Sequence, residues 1–301
     1  MRVTLTGASG LIGTKLVQAL KARGDDVTVL SRSPASTTRA LGVPADAWQP
    51  TEATAPAGAL AGRDAVVHLA GERVDQRWSD EAKRAIAESR EAGTRNLVEG
   101  LRAADPRPAA LISASAVGYY GPRGDETVDE ATPPGTDFLA GVCAAWEHQA
   151  QRAEELGMRV VRVRTGVVLD GSGGALARML TPFKLGVGGP VAGGDQYIPW
   201  IHVDDLVGIY LAAIDDATWT GPVNASAPEP VTNAVFSKAL GRALHRPAVL
   251  PIPGFALHLL YGEMAEVVTE GQRALPRRPL DLGYAFKHPD LDEALRDALQ
   301  D

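Results

Sequence analysis

The sequence has a single cysteine, Cys143, in 301 residues. No internal disulfide framework is therefore available, and a reducing compartment is expected. There is no uninterrupted apolar run of the ~18 residues that a membrane helix needs. The opening stretch, Met1-Arg-Val-Thr-Leu-Thr-Gly7, lacks the charged, apolar and cleavage regions of a secretory leader, so a cytoplasmic location is expected. Dense Lys/Arg runs are also missing: the formal charge is −7 and the pI is near 5.4. Such a surface is a poor partner for a nucleic-acid backbone or an anionic membrane. The six histidines, His68, His148, His202, His245, His258 and His288, are scattered, with no pair at i, i+4. No metal site is expected from them. Internal repeats and low-complexity tracts are absent.

What is present is ordinary globular composition, 45% hydrophobic and 22% charged, in a chain long enough for one large α/β domain with an appended lobe. Arg2 to Thr6 reads as a β-strand, and Thr14 to Arg23 carries Leu16, Val17 and Leu20 at helical spacing. Gly24 sits where a helix ends, and Asp26 to Leu30 is a second strand. Further strands are predicted at 65–69, 109–115 and 158–163, with helices over 80–104, 137–156 and 203–215. The alternation predicts an α/β fold, a doubly wound parallel sheet of Rossmann type with a smaller C-terminal substrate lobe. Residues 1–165 form the expected dinucleotide-binding domain, its sheet completed by segments near 198–225. Residues 166–301 are mainly the substrate lobe and a C-terminal helical domain.

Gly7, Gly10 and Gly13 form a G-x-x-G-x-x-G run directly after the first strand and at the start of the first helix. In that setting one glycine makes the tight turn, one admits a pyrophosphate and one allows close packing, while the helix N-terminus offers free N–H groups to phosphates. A merely flexible turn is the plainer alternative. Cofactor choice is read at the end of the second strand, where an acidic residue would bond the adenosine ribose and repel a 2′-phosphate. Here the residues are Ser31, Arg32 and Ser33. An arginine fork with two hydroxyls suits a phosphate monoester, so NADP(H) is the expected cofactor; the alternative is a solvated surface arginine.

Several segments together carry a resemblance. Thr6-Gly-Ala-Ser-Gly-Leu-Ile-Gly13, His68-Leu-Ala-Gly71, Ser113-Ala-Ser115 with Tyr119-Tyr-Gly121, and Ile201-His-Val-Asp-Asp-Leu206 resemble the extended short-chain dehydrogenase/reductase family. Ala70-Gly-Glu72, Arg77-Trp78, Ser89-Arg90, Asp137-Phe-Leu139, Val142-Cys143, Trp146-Glu147 and Gly262-Glu-Met264 are similar to its atypical subgroup of NAD(P)-dependent, sugar-nucleotide epimerase-like proteins. The tail from Pro251 resembles that subgroup's small C-terminal domain of unknown function. The resemblance implies a dinucleotide held by Thr6, Gly7, Ser9, Gly10, Leu11, Ile12, Gly13, Ser31, Arg32, Ser33, Leu69, Ala70, Gly71, Glu72, Arg90, Ala114, Thr165, Gly166 and Val167. It implies a small-molecule substrate and a monomer or homodimer.

The family's usual acid–base device, a Tyr-x-x-x-Lys pair, is missing. Anchored on Glu147, its tyrosine position falls at Leu139 and its lysine position at Cys143. Leucine cannot exchange a proton, and a neutral thiol cannot supply the lysine's charge. The remaining catalytic candidates are Ser115, at the place of the substrate-polarising hydroxyl, Tyr119, Tyr120 and His202. Each has a structural alternative: a hydroxyl bonding its own loop, a buried tyrosine, or a histidine beside Asp204 or Asp205 acting as helix cap. Cys143 would be a nucleophile only if something lowered its pKa, and it is read as an inert buried thiol. Gln196, Tyr197, Trp200 and Trp78 look like residues of the substrate cleft, and Arg90 is either part of it or a solvated helix face. Three functions remain open. One is an NADP(H)-dependent oxidoreductase or epimerase-like enzyme acting on a small polar, sugar-like carbonyl or alcohol. Another is a catalytically reduced module that binds or senses NADPH. The third is a reductase whose aromatic or flavin-like acceptors need little proton assistance.

Overall fold

Val3 and Leu5 are fully buried, and so are Thr4 and Thr6 beside them, which marks the first strand as covered on both faces. In the computed structural model, which describes residues 1–300, the first half of the chain alternates strand and helix. The order is β1 (Arg2–Thr6), α1 (Leu11–Ala22), β2 (Asp26–Ser31), α2 (Pro34–Leu41), β3 (Ala45–Ala47), the single turn α3 (Ala57–Leu60), β4 (Ala65–His68), α4 (Asp80–Ala103) and β5 (Ala110–Ala116). A 3-10 turn (Val117–Tyr120) leads to the short β6 (Thr127–Val128), α5 (Phe138–Gln151), β7 (Arg159–Thr165) and β8 (Val167–Leu169). There follow α6 (Gly174–Lys184), β9 (Tyr197–Ile198), β10 (Trp200–His202), α7 (Val203–Asp215), β11 (Gly221–Ala225), β12 (Val231–Thr232) and α8 (Asn233–Ala243). The chain closes with α9 (Gly254–Tyr261), α10 (Glu266–Thr269), β13 (Arg273–Ala274), α11 (Arg277–Asp281) and α12 (Leu291–Ala298).

Seven strands make one parallel sheet in the order β11-β7-β5-β4-β1-β2-β3. The chain winds outward in both directions from β1 and β4, so their carboxyl ends flank the crevice where such sheets hold ligands. Of the segment 198–225 only β11 joins this sheet. β10 pairs instead with β8, and β9 pairs with β12. Leu16, Val17 and Leu20 of α1 pack with Ile209, Tyr210 and Ala213 of α7 on one face. Leu97, Val98 and Leu101 of α4 cover the other with Ala150 of α5. The two long helices start where their first residues dictate. The Ser79 hydroxyl accepts from the Ala82 N–H, and Asp80 and Glu81 follow in the first turn; Asp137 Oδ1 accepts from the N–H groups of Leu139 and Ala140. A separate core of α6, α8 and α12 residues, among them Leu176, Phe236 and Leu295, builds the lobe. Among the described residues no helix is long and apolar enough to cross a membrane.

One clamp joins the strands beside the crevice. His68, fully buried at the end of β4, lies 2.7 Å by Nδ1 from the Thr6 hydroxyl and 3.0 Å by Nε2 from that of Thr94 on α4. The Thr6 hydroxyl also accepts from the Ala70 N–H at 3.2 Å. Burial, with the nearby Arg90 charge, pushes the His68 imidazole down to about 4. The unfolded chain takes up this proton near pH 6.5, so the clamp's contribution is complete above that value and declines as pH falls towards 4. At about 1.4 kcal/mol per pH unit the loss is on the order of 3 kcal/mol. We therefore expect the stability gap between the wild type and His68→Asn to be widest near pH 7.5 and to narrow steadily by pH 5, measured by thermal melts. A gap independent of pH would remove His68 from the acid response.

Candidate functional site

The first turn of the crevice is shaped by what a side chain would strike. Gly7 has φ +67°, and a Cβ there would meet the Leu69 and Ala70 backbone at 2.6–2.7 Å. At Gly13 a Cβ would lie 2.4 Å from the Gly7 carbonyl, so the helix can pack this closely only on glycine. A Cβ at Gly10, in contrast, would meet only the Gly7 oxygen, at 3.4 Å, and Gly10 brings no side chain to cap α1. The N–H groups of the first turn of α1 are thus left for a ligand. The cleft in front of them has a volume of about 330 Å³ and is walled by Leu11, Ile12, Leu69, Gly166, Val167 and Val168, with Gly174 and Ala175 of α6 closing one side. A dinucleotide diphosphate fits this donor set: free backbone N–H groups, no competing carboxylate and an open glycine.

At the end of β2 the Ser31 hydroxyl sits 2.7 Å from that of Thr37 and accepts from the Ser33 N–H at 3.1 Å. Ser31 therefore braces the turn. Arg32 and Ser33 are exposed, and Arg32 has no ion pair or hydrogen bond among the described residues. Ser33 precedes α2 without capping it by its side chain. A flexible guanidinium, a hydroxyl and a helix start thus face solvent together, the chemistry a phosphate monoester requires. Ser9 is likewise exposed beside Gly10.

Deeper in, the sheet register aligns Ser115 of β5, Arg164 of β7 and Asn224 of β11 in one row. Arg164, almost fully buried, forks onto Glu147 of α5, Nε to Oε1 at 2.8 Å and Nη2 to Oε2 at 2.9 Å. Burial alone would lower its pKa; the Glu147 carboxylate more than offsets this and holds the guanidinium charged. The Ser115 hydroxyl donates to Glu147 Oε1 at 2.7 Å. The Tyr120 phenol donates to Asn224 Oδ1 at 2.6 Å and accepts from Arg164 Nη1 at 2.9 Å. Burial drives that phenol's pKa well up. Ser115 and Tyr120, candidates for catalysis by position, thus spend their hydroxyls inside this network. Tyr119 differs: half-buried, its ring lies 3.5 Å under the Arg164 guanidinium, and its hydroxyl has no protein partner among the described residues. Ala114 alternates to the face opposite Ser115, and Thr165 and Gly166 lead from β7 into the cleft wall.

Leu139 and Cys143 pack beneath Gly118, whose Cβ would lie 3.6 Å from Leu139 and 4.0 Å from the thiol. Burial pushes the Cys143 thiol up to about 12, so it stays neutral. Phe138 meets Trp78 edge-to-face at 5.2 Å. Arg90 approaches from α4, its guanidinium 5.0 Å from the Trp146 ring and its Nη1 donating to the Glu72 carbonyl at 2.9 Å.

His202 belongs elsewhere. It is buried at the end of β10, and its Nδ1 accepts from the Asp204 N–H at 3.2 Å, so the histidine itself caps α7. The cap expected of Asp204 or Asp205 is not found, because Asp205 turns inward. Its carboxylate accepts from the N–H groups of Lys287 and His288 at 2.7 and 2.9 Å and anchors the C-terminal segment. The fold also brings together residues that were scattered in sequence. The ligand atoms of His202, Asp204 and His288 lie within 4.8 Å of one another, close enough to hold a metal ion where none was expected from the sequence, with the two ring centroids 3.9 Å apart and their planes tilted by 37°. Sequence reasoning named Glu147 without its partner Arg164. It did not find Asn224, or the α6 residues of the cleft wall; the only signal for the latter was Gly173-Gly174 ahead of a Leu176, Met179, Leu180 spacing.

Residues 3–224 match the family model described as "NAD dependent epimerase/dehydratase family", and residues 252–298 match a domain of unknown function, DUF1731. The chain is 42% identical to the "Epimerase family protein SDR39U1 homolog, chloroplastic" of Arabidopsis thaliana, over 100% of this chain and 87% of that protein. It is 36% identical to the epimerase family protein YfhF of Bacillus subtilis, over 100% and 99%. Among solved structures it superposes on the human epimerase family protein SDR39U1 (isoform 2), crystallised with NADPH, with a TM-score of 0.89 and 36% identity over the full length of both chains. It also covers 58% of a Corynebacterium glutamicum nucleoside-diphosphate sugar epimerase, with a TM-score of 0.80 and 36% identity.

Removing one partner of the buried pair leaves the other charge stranded. Glu147→Gln should cost roughly 3–5 kcal/mol, whereas Ser115→Ala should cost only about 1 kcal/mol. Urea unfolding of both variants checks this; equal, small losses would mean that the pair is solvated in solution.

Proposed function

The chain belongs to the NAD-dependent epimerase/dehydratase family, and from that premise we propose that it binds NADP(H) and passes hydride to an acceptor that needs no proton from the protein. The observation that carries this reading is the apolar packing of Leu139 and Cys143 under Gly118, where the family places its acid. The cofactor would be held by Gly7, Gly10, Gly13 and the α1 N-terminus at its diphosphate and by Arg32 and Ser33 at its 2′-phosphate. Leu69 to Glu72 and Thr165 to Val167 would line the rest of its path. The human structure crystallised with NADPH supports this choice of cofactor.

A bound reduced nicotinamide supplies hydride. The residues around it govern what can accept that hydride. Sugar epimerisation begins with removal of a hydroxyl proton, and neither Leu139 nor Cys143 can take one. Ser115 and Tyr120 are held by Glu147, Arg164 and Asn224. Trp78 and Phe138, in edge-to-face contact, and Leu139 next to Phe138 in sequence are apolar groups that would suit a conjugated acceptor such as a quinone or a flavin. Such an acceptor takes hydride and collects the balancing proton from water. A second reading, reduction of a small polar carbonyl, is favoured by one observation: the Tyr119 hydroxyl has no protein partner among the described residues and is available to donate a proton.

The experiment is NADPH oxidation against a panel of quinones, flavins and sugar-like carbonyls, with wild type and Tyr119→Phe. Turnover of quinones or flavins that survives Tyr119→Phe supports the first reading. Turnover confined to carbonyls and lost in Tyr119→Phe establishes the second. Tight binding with no turnover would leave a sensing role. Independently, Arg32→Ala should weaken NADPH by about tenfold or more while leaving NADH nearly unchanged. Equal affinities of wild type and variant for NADPH would exclude Arg32 from the phosphate site.

A further inference from the structure

Away from the crevice the fold gathers two histidines and two aspartates, none of which lines the cleft wall. His202 ends β10 and Asp204 lies in the first turn of α7, whereas His288 precedes α12 and Asp297 lies on it. A fixed anchor delivers the C-terminal pair. The fully buried Asp205 accepts from the N–H groups of Lys287 and His288, which holds the His288 ring 3.9 Å, centroid to centroid, from that of His202. His202 is 2% exposed, and its Nε2 is buried without a hydrogen-bond partner among the described residues. Asp297 Oδ2 lies 3.3 Å from that nitrogen, in an orientation that makes no hydrogen bond. Asp204 Oδ2 lies 4.0 Å from His288 Nε2. A buried ring nitrogen left unpaired costs free energy, so its position between acidic oxygens calls for a ligand that binds nitrogen and oxygen alike.

We infer that His202, Asp204 and His288 bind one divalent transition-metal ion of the Zn²⁺ type, with Asp297 as the fourth ligand. Imidazole nitrogens with carboxylates are the donor set of such ions, whereas Mg²⁺ and Ca²⁺ take oxygen ligands. The spacing agrees. Two ligands held about 2.1 Å from a tetrahedral ion stand about 3.4 Å apart, against 3.3 Å between His202 Nε2 and Asp297 Oδ2. The ligand atoms of His202, Asp204 and His288 lie within 4.8 Å of one another, and the half-exposed Asp204 and Asp297 side chains have room to close that distance. The protons can be followed. His202 Nδ1 accepts from the Asp204 N–H, so the neutral ring carries its proton on Nε2. Metal capture moves that proton through solvent to Nδ1, and the Asp204 N–H gives up its acceptor. The ion then replaces the cap as the tie between His202 and Asp204. It also staples the start of α7 to the C-terminal segment, beside the anchor that Asp205 already makes.

The test titrates the chelator-treated full chain with Zn²⁺ by calorimetry and with Co²⁺ by visible absorption. Wild type is compared with His288→Ala, Asp204→Ala and the control His245→Ala, whose histidine is exposed and outside the cluster. Melting curves are recorded with and without Zn²⁺. Wild type and His245→Ala are expected to bind one ion at concentrations on the order of 10 μM, to give the d–d bands of nitrogen-ligated Co²⁺, and to melt higher with Zn²⁺. His288→Ala and Asp204→Ala are expected to bind about tenfold more weakly or worse and to lose the rise in melting temperature. Both replace partly or wholly exposed side chains, so without metal they are expected to melt close to wild type, which separates a lost ligand from a lost fold. Absence of saturable one-to-one binding by wild type overturns the inference. So does binding that survives either substitution or fails in His245→Ala, since each places the ion elsewhere. Binding that leaves the wild-type melting temperature unchanged overturns the staple.

Discussion

The buried pair between Arg164 and Glu147 is the constraint on which the candidate site depends. Two charges in a dry interior persist only if each is fully bonded, and the surrounding groups are arranged to that end. Ser115 gives its proton to Glu147, Tyr120 offers its oxygen to Arg164, and Asn224 takes the Tyr120 proton. The result ties β5, β7 and β11 to α5 at one level of the sheet. It also turns the protic residues of the site into scaffolding. A hydroxyl that holds a buried carboxylate in place cannot leave it to polarise a substrate without exposing that carboxylate's desolvation cost.

Much of the frame was legible because it is written locally. The β1-α1-β2 unit follows from strand and helix periodicity within thirty-one residues, with a glycine turn between. The long helices were legible from their amphipathic spacing, and Ser79 and Asp137 stand as caps one residue before them. What was not legible depends on distance in sequence. Nothing near Glu147 announces that its partner lies seventeen residues on, or that Tyr120 reaches across to Asn224. α6 was hidden by its own composition: it starts on Gly174 and contains Pro182, both read as loop signals. His202 was misjudged as a neighbour of a capped helix because a histidine cap is an uncommon use of a side chain whose ring must turn back onto its own backbone.

α5 is packed against both the 3-10 turn after β5 and α4. Leu139 and Cys143 fill the space under Gly118, and the opposite side of α5 still meets α4. At the same end of the crevice the Arg90 guanidinium of α4 lies over the Trp146 ring of α5, with Gly71 leaving it room.

Cys143 has one more consequence. As the only thiol in the chain, buried and held neutral, it is shielded from alkylating reagents for as long as α5 stays docked. Its labelling rate is therefore a clock for the undocking of that helix. A bound dinucleotide that steadies the crevice would slow the clock, and no engineered probe would be needed to read it.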